Sequence, residues 1–339
     1  MQYRPLGRTG VHVSPLCLGA MMFGPWGNDD KTDSIRIIHT ALDAGINFVD
    51  TADVYSGGVS EQIVGEALKG RRDDVVLATK FFMPMDTDDP NHGGGSRRWI
   101  MTEVENSLRR LGVDHIDLYQ VHRPSPTTDL AETLGALTDL VRQGKIRYIG
   151  SSSYSGSQIV EAQWLSCERH LERFVTEQPP YSILVRGIEA DVLPTAQRHG
   201  MGTLTYSPLS GGWLTGRWRK NAPGTPTSAA RPSARFDMSS PSNQRKLDIV
   251  DDLAQLAEEA GHTLIDVAIA FAINHPGVTA AIVGPRTMEQ LESYLPATEI
   301  TLSSAILDRI DELVAPGVTL NPDDNSYGDH ELTTAARRR

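Results

Sequence analysis

Short apolar runs rich in valine and isoleucine recur along the chain, and most are followed by a stretch with the apolar spacing of a helix. Such runs are typical of strands buried on both faces of a parallel sheet, with the helices as crossover connections. The predicted strands are residues 16–19, 46–49, 75–79, 116–121, 146–150, 174–176, 203–206 and 280–283. The predicted helices are residues 32–44, 60–69, 96–111, 129–142, 157–171, 189–199 and 287–295.

Eight strands separated by helices predict an α/β fold, a single (β/α)8 TIM barrel. An open doubly wound sheet alternates in the same way, but no GxGxxG fingerprint follows the first strand. The 339 residues suggest two domains by length alone, yet α/β barrels of about 250 residues form one unit. We expect a barrel domain over residues 1–315 and a C-terminal tail over residues 316–339.

Three segments lie outside this alternation. Residues 1–14 carry turn signals at Gly7 and Gly10, and we expect an N-terminal hairpin that plugs the bottom of the barrel. Residues 217–245 are rich in Pro, Ser, Ala and Arg and are predicted to form a long mobile loop. The tail is polar and ends in three arginines.

Charge and composition restrict the class of partner. The formal net charge of −11 repels phosphodiester backbones and anionic lipid, so we expect neither nucleic acid nor a membrane as partner. No run of about 18 apolar residues is long enough to span a bilayer, and the N-terminus lacks a signal-peptide pattern. The two cysteines, Cys17 and Cys167, build no disulfide framework. A cytoplasmic protein fits these features, and a homo-oligomer is compatible with them.

Ionisable side chains lie at or just after the ends of three consecutive predicted strands. Asp50 follows the second strand, with Tyr55 in the next loop, Lys80 follows the third, and His122 follows the fourth. In a (β/α)8 barrel the carboxyl ends of the strands form the face where active sites lie. We therefore expect these four residues to meet in one catalytic site.

The four residue types suit the reduction of a carbonyl group. A carbonyl that accepts a hydride becomes an alkoxide and needs a proton, which Tyr55 could donate if a nearby ammonium lowered its pKa from about 10. Lys80 could supply that ammonium, with Asp50 as its carboxylate partner. His122 could donate a hydrogen bond that orients the carbonyl. Each residue alone has an ordinary structural explanation, and only their joint placement favours catalysis.

Other candidate chemistry is weaker. Residues 86–97 lack a glycine at the sixth position and an acidic residue at the twelfth, which a calcium loop needs, and the histidines show no metal-ligand spacing, so we predict no metal. The sequence contains no nucleophile elbow, so we do not predict a hydrolase. Four aromatic residues lie in or beside loops at the predicted active end and are candidates for the wall of a substrate pocket. They are Trp26, Phe81, Phe82 and Trp213.

The chain resembles the aldo-keto reductase superfamily, whose Asp/Tyr/Lys/His tetrad matches Asp50, Tyr55, Lys80 and His122. The surrounding FVDTA, YSGG and GKIRYIG segments are similar too, and the opening LGRTG resembles bacterial members related to potassium-channel β subunits. The resemblance covers residues 1–315. It implies a small carbonyl substrate and NADPH, bound in an extended form across the barrel mouth.

The resemblance also assigns cofactor contacts residue by residue. It implies that Ser152, Ser153 and Gln178 hold the nicotinamide carboxamide, that Tyr206 stacks on the nicotinamide ring, and that the stretch after Tyr206 contacts the pyrophosphate. Arg286 would meet a 2′-phosphate, which suits its planar guanidinium. The remaining positions are Ser207, Pro208, Leu209, Gly211 and Arg217 at the pyrophosphate, and Gly284, Gln290 and Tyr294 at the adenosine end.

Two other functions are compatible with a barrel of this kind. A slow regulatory subunit that binds the cofactor, as in the channel β subunits, is disfavoured because His122 is present. A lyase or isomerase that forms a Schiff base through Lys80 is disfavoured if Asp50 keeps that lysine protonated.

Overall fold

Eight parallel strands close into a barrel in the computed structural model, which describes residues 1–86, 88–220, 224, 226 and 233–325. Around the barrel the strands follow the order β10-β3-β4-β5-β6-β7-β8-β9, so each one pairs with its neighbour in sequence and β10 closes against β3. This is the predicted (β/α)8 TIM barrel. The strands are β1 (Arg4–Pro5), β2 (His12–Val13), β3 (Leu16–Gly19), β4 (Phe48–Asp50), β5 (Val76–Phe81), β6 (Ile116–Val121), β7 (Ile146–Ser152), β8 (Thr176–Gln178), β9 (Gly202–Tyr206) and β10 (Ala280–Val283).

Helices surround the barrel, and most of them begin at side-chain caps that the sequence supplies. Ser96 caps the third helix by accepting the Trp99 N–H, and Ser155 forms a reciprocal capping box with Gln158. The helices are α1 (Lys31–Asp43), α2 (Val59–Ala67), α3 (Arg97–Leu111), α4 (Leu130–Arg142), α5 (Gly156–Glu168), α6 (Val192–His199), α7 (Pro241–Glu259), α8 (Leu264–Asn274), α9 (Met288–Tyr294) and α10 (Ser304–Leu313). None of the helices in the described ranges is long and apolar enough to cross a membrane.

The sequence pattern placed three strands with their observed bounds, β3, β6 and β10, and the others within three residues. It missed α7, α8 and α10. The residues of α8 are almost all buried, and a helix without a polar face shows no amphipathic period. The predicted loop over residues 217–245 was wrong at its end, where α7 begins at Pro241. The part of that loop at residues 221–223, 225 and 227–232 lies outside the described residues.

The N-terminal hairpin of β1 and β2 closes the bottom of the barrel, as predicted. Leu6 and Val13 are fully buried there, in one apolar cluster with the barrel-lining side chain of Cys17. Gly7 has a φ of +59°, and a Cβ at this position would lie 2.8 Å from the Gly202 nitrogen. The close approach of hairpin and barrel therefore requires glycine at this turn.

The first part of the predicted tail packs against the barrel. The Leu320 N–H donates to the Leu184 carbonyl oxygen at 3.1 Å, and Lys246 of α7 donates to Asp324 at 2.5 Å. Both partners of this ion pair are buried. Residues 326–339 of the tail lie outside the described residues.

Candidate active site

The structure brings Asp50, Tyr55, Lys80 and His122 together at the carboxyl ends of β4, β5 and β6. Asp50 ends β4, Lys80 is the last residue but one of β5, and His122 directly follows β6. Tyr55 opens a short 3₁₀ segment, Tyr55–Gly58, after β4. Because these strands are neighbours in the barrel, their ends deliver the side chains to one place.

Lys80 is fully buried and uses all three of its ammonium protons. It donates to Asp50 Oδ1 at 2.5 Å, to the Thr51 carbonyl oxygen at 2.8 Å and to the Tyr55 hydroxyl oxygen at 3.3 Å. Burial alone lowers the pKa of Lys80, but Asp50 and Tyr55 raise it, and the net pKa lies above the ordinary value. The lysine is therefore a fixed cation between a carboxylate and a phenol.

The pKa of Tyr55 is raised, not lowered as the sequence led us to expect. Burial is the largest cause and raises the pKa, while Lys80 lowers it and Asp50 raises it again. Burial prevails because a phenolate in an apolar setting loses its hydration. Tyr55 therefore keeps its proton at neutral pH, and its oxygen accepts from Lys80 while its O–H remains available as a donor.

His122 lies against Tyr55, with ring centroids 5.8 Å apart and the planes at 80°. Burial, followed by the charges of Lys80 and Arg123, lowers the pKa of His122 well below its ordinary value. Its Nδ1 is buried and has no hydrogen-bond partner among the described residues. The ring is therefore neutral, with one N–H to donate.

Two glutamines that face into the barrel support Asp50. Gln120 and Gln178 each donate to Asp50 Oδ2 at 3.0 Å, and Gln178 also donates to Gln120 at 3.2 Å. Gln178 was among the residues predicted at the cofactor, whereas Gln120 was missed. Its position two residues before His122 on β6 was the available signal, since alternate residues of a strand share a face.

The end of β7 and the turn that follows it hold Ser152 and Ser153 beside Gln178. Ser152 donates to the Gln178 carbonyl oxygen at 2.8 Å, and Ser153 has the unusual φ of +60°. Glu177 is buried under this turn, where its carboxylate accepts from Ser151 Oγ at 2.6 Å and from the Tyr154 N–H at 3.0 Å. Burial raises the pKa of Glu177 to about 8 despite these bonds. Strained turns of this kind concentrate at functional sites.

Sequence reasoning also missed Arg123. It donates from Nη1 to the His122 carbonyl oxygen at 2.8 Å and to Ser153 Oγ at 3.0 Å. Its guanidinium thus connects the tetrad to the turn after β7. The residue follows a predicted site histidine directly, which was the signal for it.

The turn after β9 carries the residues predicted to contact the pyrophosphate. Ser207 has a φ of +60°, and Ser210, at +49°, opens the 3₁₀ segment Ser210–Thr215. A cleft beside this turn is lined by Tyr206, Ser207, Ser210, Gly211, Arg235 and Phe236. Pro208 and Leu209 lie within the turn, and Arg217 lies over the ring of Trp218 at 4.5 Å.

The residues predicted at the adenosine end lie together after β10. The Arg286 N–H donates to the Gln290 side-chain oxygen at 2.8 Å, and Asn28 donates to the Arg286 carbonyl oxygen at 2.9 Å. Gly284 and Arg286 are exposed, whereas Tyr294 is buried. Burial raises the pKa of Tyr294 to about 12. A buried Tyr294 presents little surface to a ligand.

The aromatic residues predicted at the substrate pocket divide into two groups. Trp26 is half exposed and lies 6.2 Å from the Tyr55 ring, centroid to centroid. Phe82 directly follows β5 and is partly buried. Phe81 is fully buried and stacks on Tyr119 at 4.8 Å. Trp213 is also fully buried and stacks on Phe236 at 5.7 Å. The structure therefore brings Trp26 to the tetrad and places Phe81 and Trp213 in the core.

Within the described ranges, no group of three or more His, Cys, Asp or Glu side chains is arranged to hold a metal ion.

Comparison with known proteins gives one family over most of the chain. The model of the aldo/keto reductase family matches residues 15–315. An uncharacterized oxidoreductase of Bacillus subtilis, YrpG, is 41% identical over 92% of this chain and 96% of its own length. The aldo-keto reductase YhdN of the same organism is 37% identical over 90% of this chain and 91% of its own length. A probable voltage-gated potassium channel subunit beta of Arabidopsis thaliana is 34% identical over 93% of this chain and 97% of its own length. With its closed barrel and this extended similarity, the chain belongs to the aldo/keto reductase family of oxidoreductases.

Proposed function

We propose that this chain is an NADPH-dependent oxidoreductase that transfers a hydride to an aldehyde or ketone, with Tyr55 as the proton donor. Its family typically uses NAD(P)H and acts on small carbonyl compounds. The observation that carries the proposal is the buried ammonium of Lys80, which bonds both to Asp50 and to the Tyr55 hydroxyl oxygen. A phenol held in this way, beside a neutral imidazole, is a source of a proton for an alkoxide.

The residues around the tetrad fit a nicotinamide dinucleotide. Strained, non-glycine backbone occurs at Ser153 and Ser207, in the two turns that would hold the nicotinamide and the pyrophosphate. Arg286 is exposed and takes part in no ion pair among the described residues, so its guanidinium is open to a 2′-phosphate. Gln178 keeps its side-chain oxygen as an acceptor for the carboxamide, since among the described residues its side chain makes hydrogen bonds through Nε2 alone. When bound, the cofactor supplies the hydride.

Proton transfer falls to Tyr55. Its hydroxyl oxygen accepts a hydrogen bond from Lys80, so its own proton points to another acceptor, the carbonyl oxygen of the substrate. As negative charge develops on that oxygen, the proton passes from Tyr55 Oη to it, and the phenolate that remains is stabilised by the Lys80 ammonium. Asp50, fixed by two glutamines, keeps the ammonium charged and in place.

His122 orients the carbonyl. A neutral ring donates one hydrogen bond and adds no second positive charge beside Lys80, whose own charge opposes protonation of the imidazole. The two rings lie edge-on with their centroids 5.8 Å apart, so a carbonyl oxygen bound between them could accept a hydrogen bond from each.

A Schiff-base mechanism through Lys80 has less support. A nucleophilic amine must be neutral, whereas Lys80 donates three hydrogen bonds, one of them to a buried carboxylate, and its pKa is raised.

Fluorescence titration of the purified protein with NADPH and NADH, followed by addition of 4-nitrobenzaldehyde, tests the proposal. We expect tighter binding of NADPH and oxidation of the bound cofactor on addition of the aldehyde. Binding without turnover on a broad panel of carbonyl compounds would favour a regulatory subunit that binds the cofactor. Failure to bind either nucleotide would contradict the proposal.

A further inference from the structure

Arg123 has donors to spare at the mouth of the barrel. A guanidinium carries five N–H groups, and the two hydrogen bonds of Arg123, to the His122 carbonyl oxygen and to Ser153, both use Nη1. Within the described ranges no hydrogen bond or carboxylate reaches its Nε or Nη2. These two nitrogens form one edge of the guanidinium, with the geometry that binds a carboxylate through two parallel hydrogen bonds.

Several other shielded arginines among the described residues are paired with carboxylates. Each of four has a carboxylate oxygen within 2.9 Å of its guanidinium, which is the normal way to compensate a shielded charge. They are Arg72, Arg110, Arg186 and Arg219. Arg123 is shielded too but has no carboxylate within ion-pair distance among the described residues, and its charge acts on the buried Glu177 from beyond that distance. Its position thus differs from that of the four ion-paired arginines.

The guanidinium lies close to the reacting groups. Its positive charge lowers the pKa of Tyr55 and of His122. It therefore favours the phenolate over the phenol and the neutral imidazole over the imidazolium. It donates to the backbone carbonyl oxygen of His122, which holds it next to that residue. A substrate whose carbonyl oxygen is held by Tyr55 and His122 would therefore have the guanidinium as a neighbour.

We propose that Arg123 is a specificity-determining residue that binds an anionic group of the substrate, so that the preferred substrates are aldehydes or ketones that carry a carboxylate. This inference rests on the proposed carbonyl reduction. The net charge of −11 would by itself disfavour an anionic substrate, so such a preference needs a local cation at the site. An arginine suits this role better than a lysine because of its planar pair of donors.

The test compares two aldehydes of the same shape, 4-carboxybenzaldehyde and its neutral analogue 4-formylbenzamide. We expect a ratio of kcat/KM, carboxylate over carboxamide, of about ten to one hundred for the wild type, the range of one charge-assisted hydrogen bond. Arg123→Met should bring the ratio to about one, and Arg123→Lys should leave an intermediate value. The readout is the ratio, because loss of the bond to Ser153 affects both substrates.

Arg147→Met is the matched control. Arg147 is exposed near the start of β7, at the opposite end of the barrel, so this variant makes the same change in net charge without touching the mouth. We expect its ratio to equal that of the wild type. Raising the salt concentration should lower the wild-type ratio and leave that of Arg123→Met unchanged.

Three results would overturn the inference. A wild-type ratio at or below one would overturn the inference, even if Arg123→Met failed to fold. If the wild type still reduced both aldehydes, the proposed reductase function would stand. A ratio retained in Arg123→Met, with weaker NADPH binding instead, would make Arg123 a cofactor residue. Turnover of neither aldehyde by the wild type would overturn the proposed function and this inference with it.

Discussion

Replacing Asp50 by asparagine tests the ion pair on which the site depends. The side chains of Asp50 and Lys80 are 3% and 0% exposed, and their charged atoms lie 2.5 Å apart. Asparagine leaves the Lys80 charge buried without a carboxylate. Its amide nitrogen would also face the donors of Gln120 and Gln178, where the wild type presents an acceptor.

The magnitude follows from burial. Removing one partner of a buried pair costs about 3–5 kcal/mol, because the remaining charge has lost its hydration without compensation. The chain has 339 residues, and at about 2.1 cal/mol/K of unfolding entropy per residue this lowers Tm by about 4–7 °C. Scanning calorimetry measures the shift, and the variant should also lose carbonyl reduction.

A double-mutant cycle isolates the pair from the individual side chains. Lys80→Met should destabilise by a similar amount, since it leaves Asp50 as the unpaired charge. The destabilisation of the double variant should be smaller than the sum of the two single destabilisations, by about 2 kcal/mol or more, because neither charge remains. Glu66→Gln, which breaks the exposed pair of Glu66 with Lys31, is the control and should not shift Tm measurably. Additive effects in the cycle would refute the reasoning.

Three further predictions follow from the same site. Because the pKa of Tyr55 is raised above its ordinary value, kcat for reduction should be flat across neutral pH and fall only above about pH 10, and a fall centred near pH 7 would contradict this. Arg286→Gln should weaken NADPH binding by about ten- to a hundredfold and leave NADH binding unchanged in a fluorescence titration, whereas equal weakening of both would remove Arg286 from the 2′-phosphate. Glu177 has a folded-state pKa raised to about 8, so the stability it contributes is present below its ordinary pKa and lost as pH rises toward 8. The Tm of Glu177→Gln relative to the wild type should therefore rise between pH 5 and pH 8, and a difference independent of pH would mean that Glu177 titrates normally.

Much of the fold could be predicted from the sequence because the barrel strands are buried on both faces. Continuous apolar runs such as Ala280–Val283 stand out from the amphipathic helices around them. The ends of those runs also located Asp50 and Lys80, since a parallel barrel has only one face where carboxyl ends meet. Helix α8 could not be found in this way, because its burial removes the periodic signal.

The electrostatics and the pocket were less predictable. The positions of Lys80 and Tyr55 after neighbouring strands predict that the two residues lie close together. The pKa of the phenol, however, depends on how completely it is buried, which only the packing determines. Phe81 and Trp213 were expected at the pocket from their place beside loops, yet each stacks in the core, because an aromatic residue near a strand end is as easily buried as exposed. The role of Arg123 could not be predicted, because only the structure shows which N–H groups of its guanidinium make no hydrogen bond.

Turnover by Tyr55→Phe tests the central claim most directly. The change removes one hydroxyl group, the proposed proton donor, and leaves the ring against His122. Tyr3→Phe removes a hydroxyl from an exposed tyrosine near the N-terminus and is the control. We expect Tyr55→Phe to bind NADPH as the wild type does but to reduce 4-nitrobenzaldehyde at least about a hundredfold more slowly, the lower range of general acid catalysis, while Tyr3→Phe keeps both properties. Turnover by Tyr55→Phe at the wild-type rate, or an equal loss of binding and turnover, would contradict the role given to Tyr55.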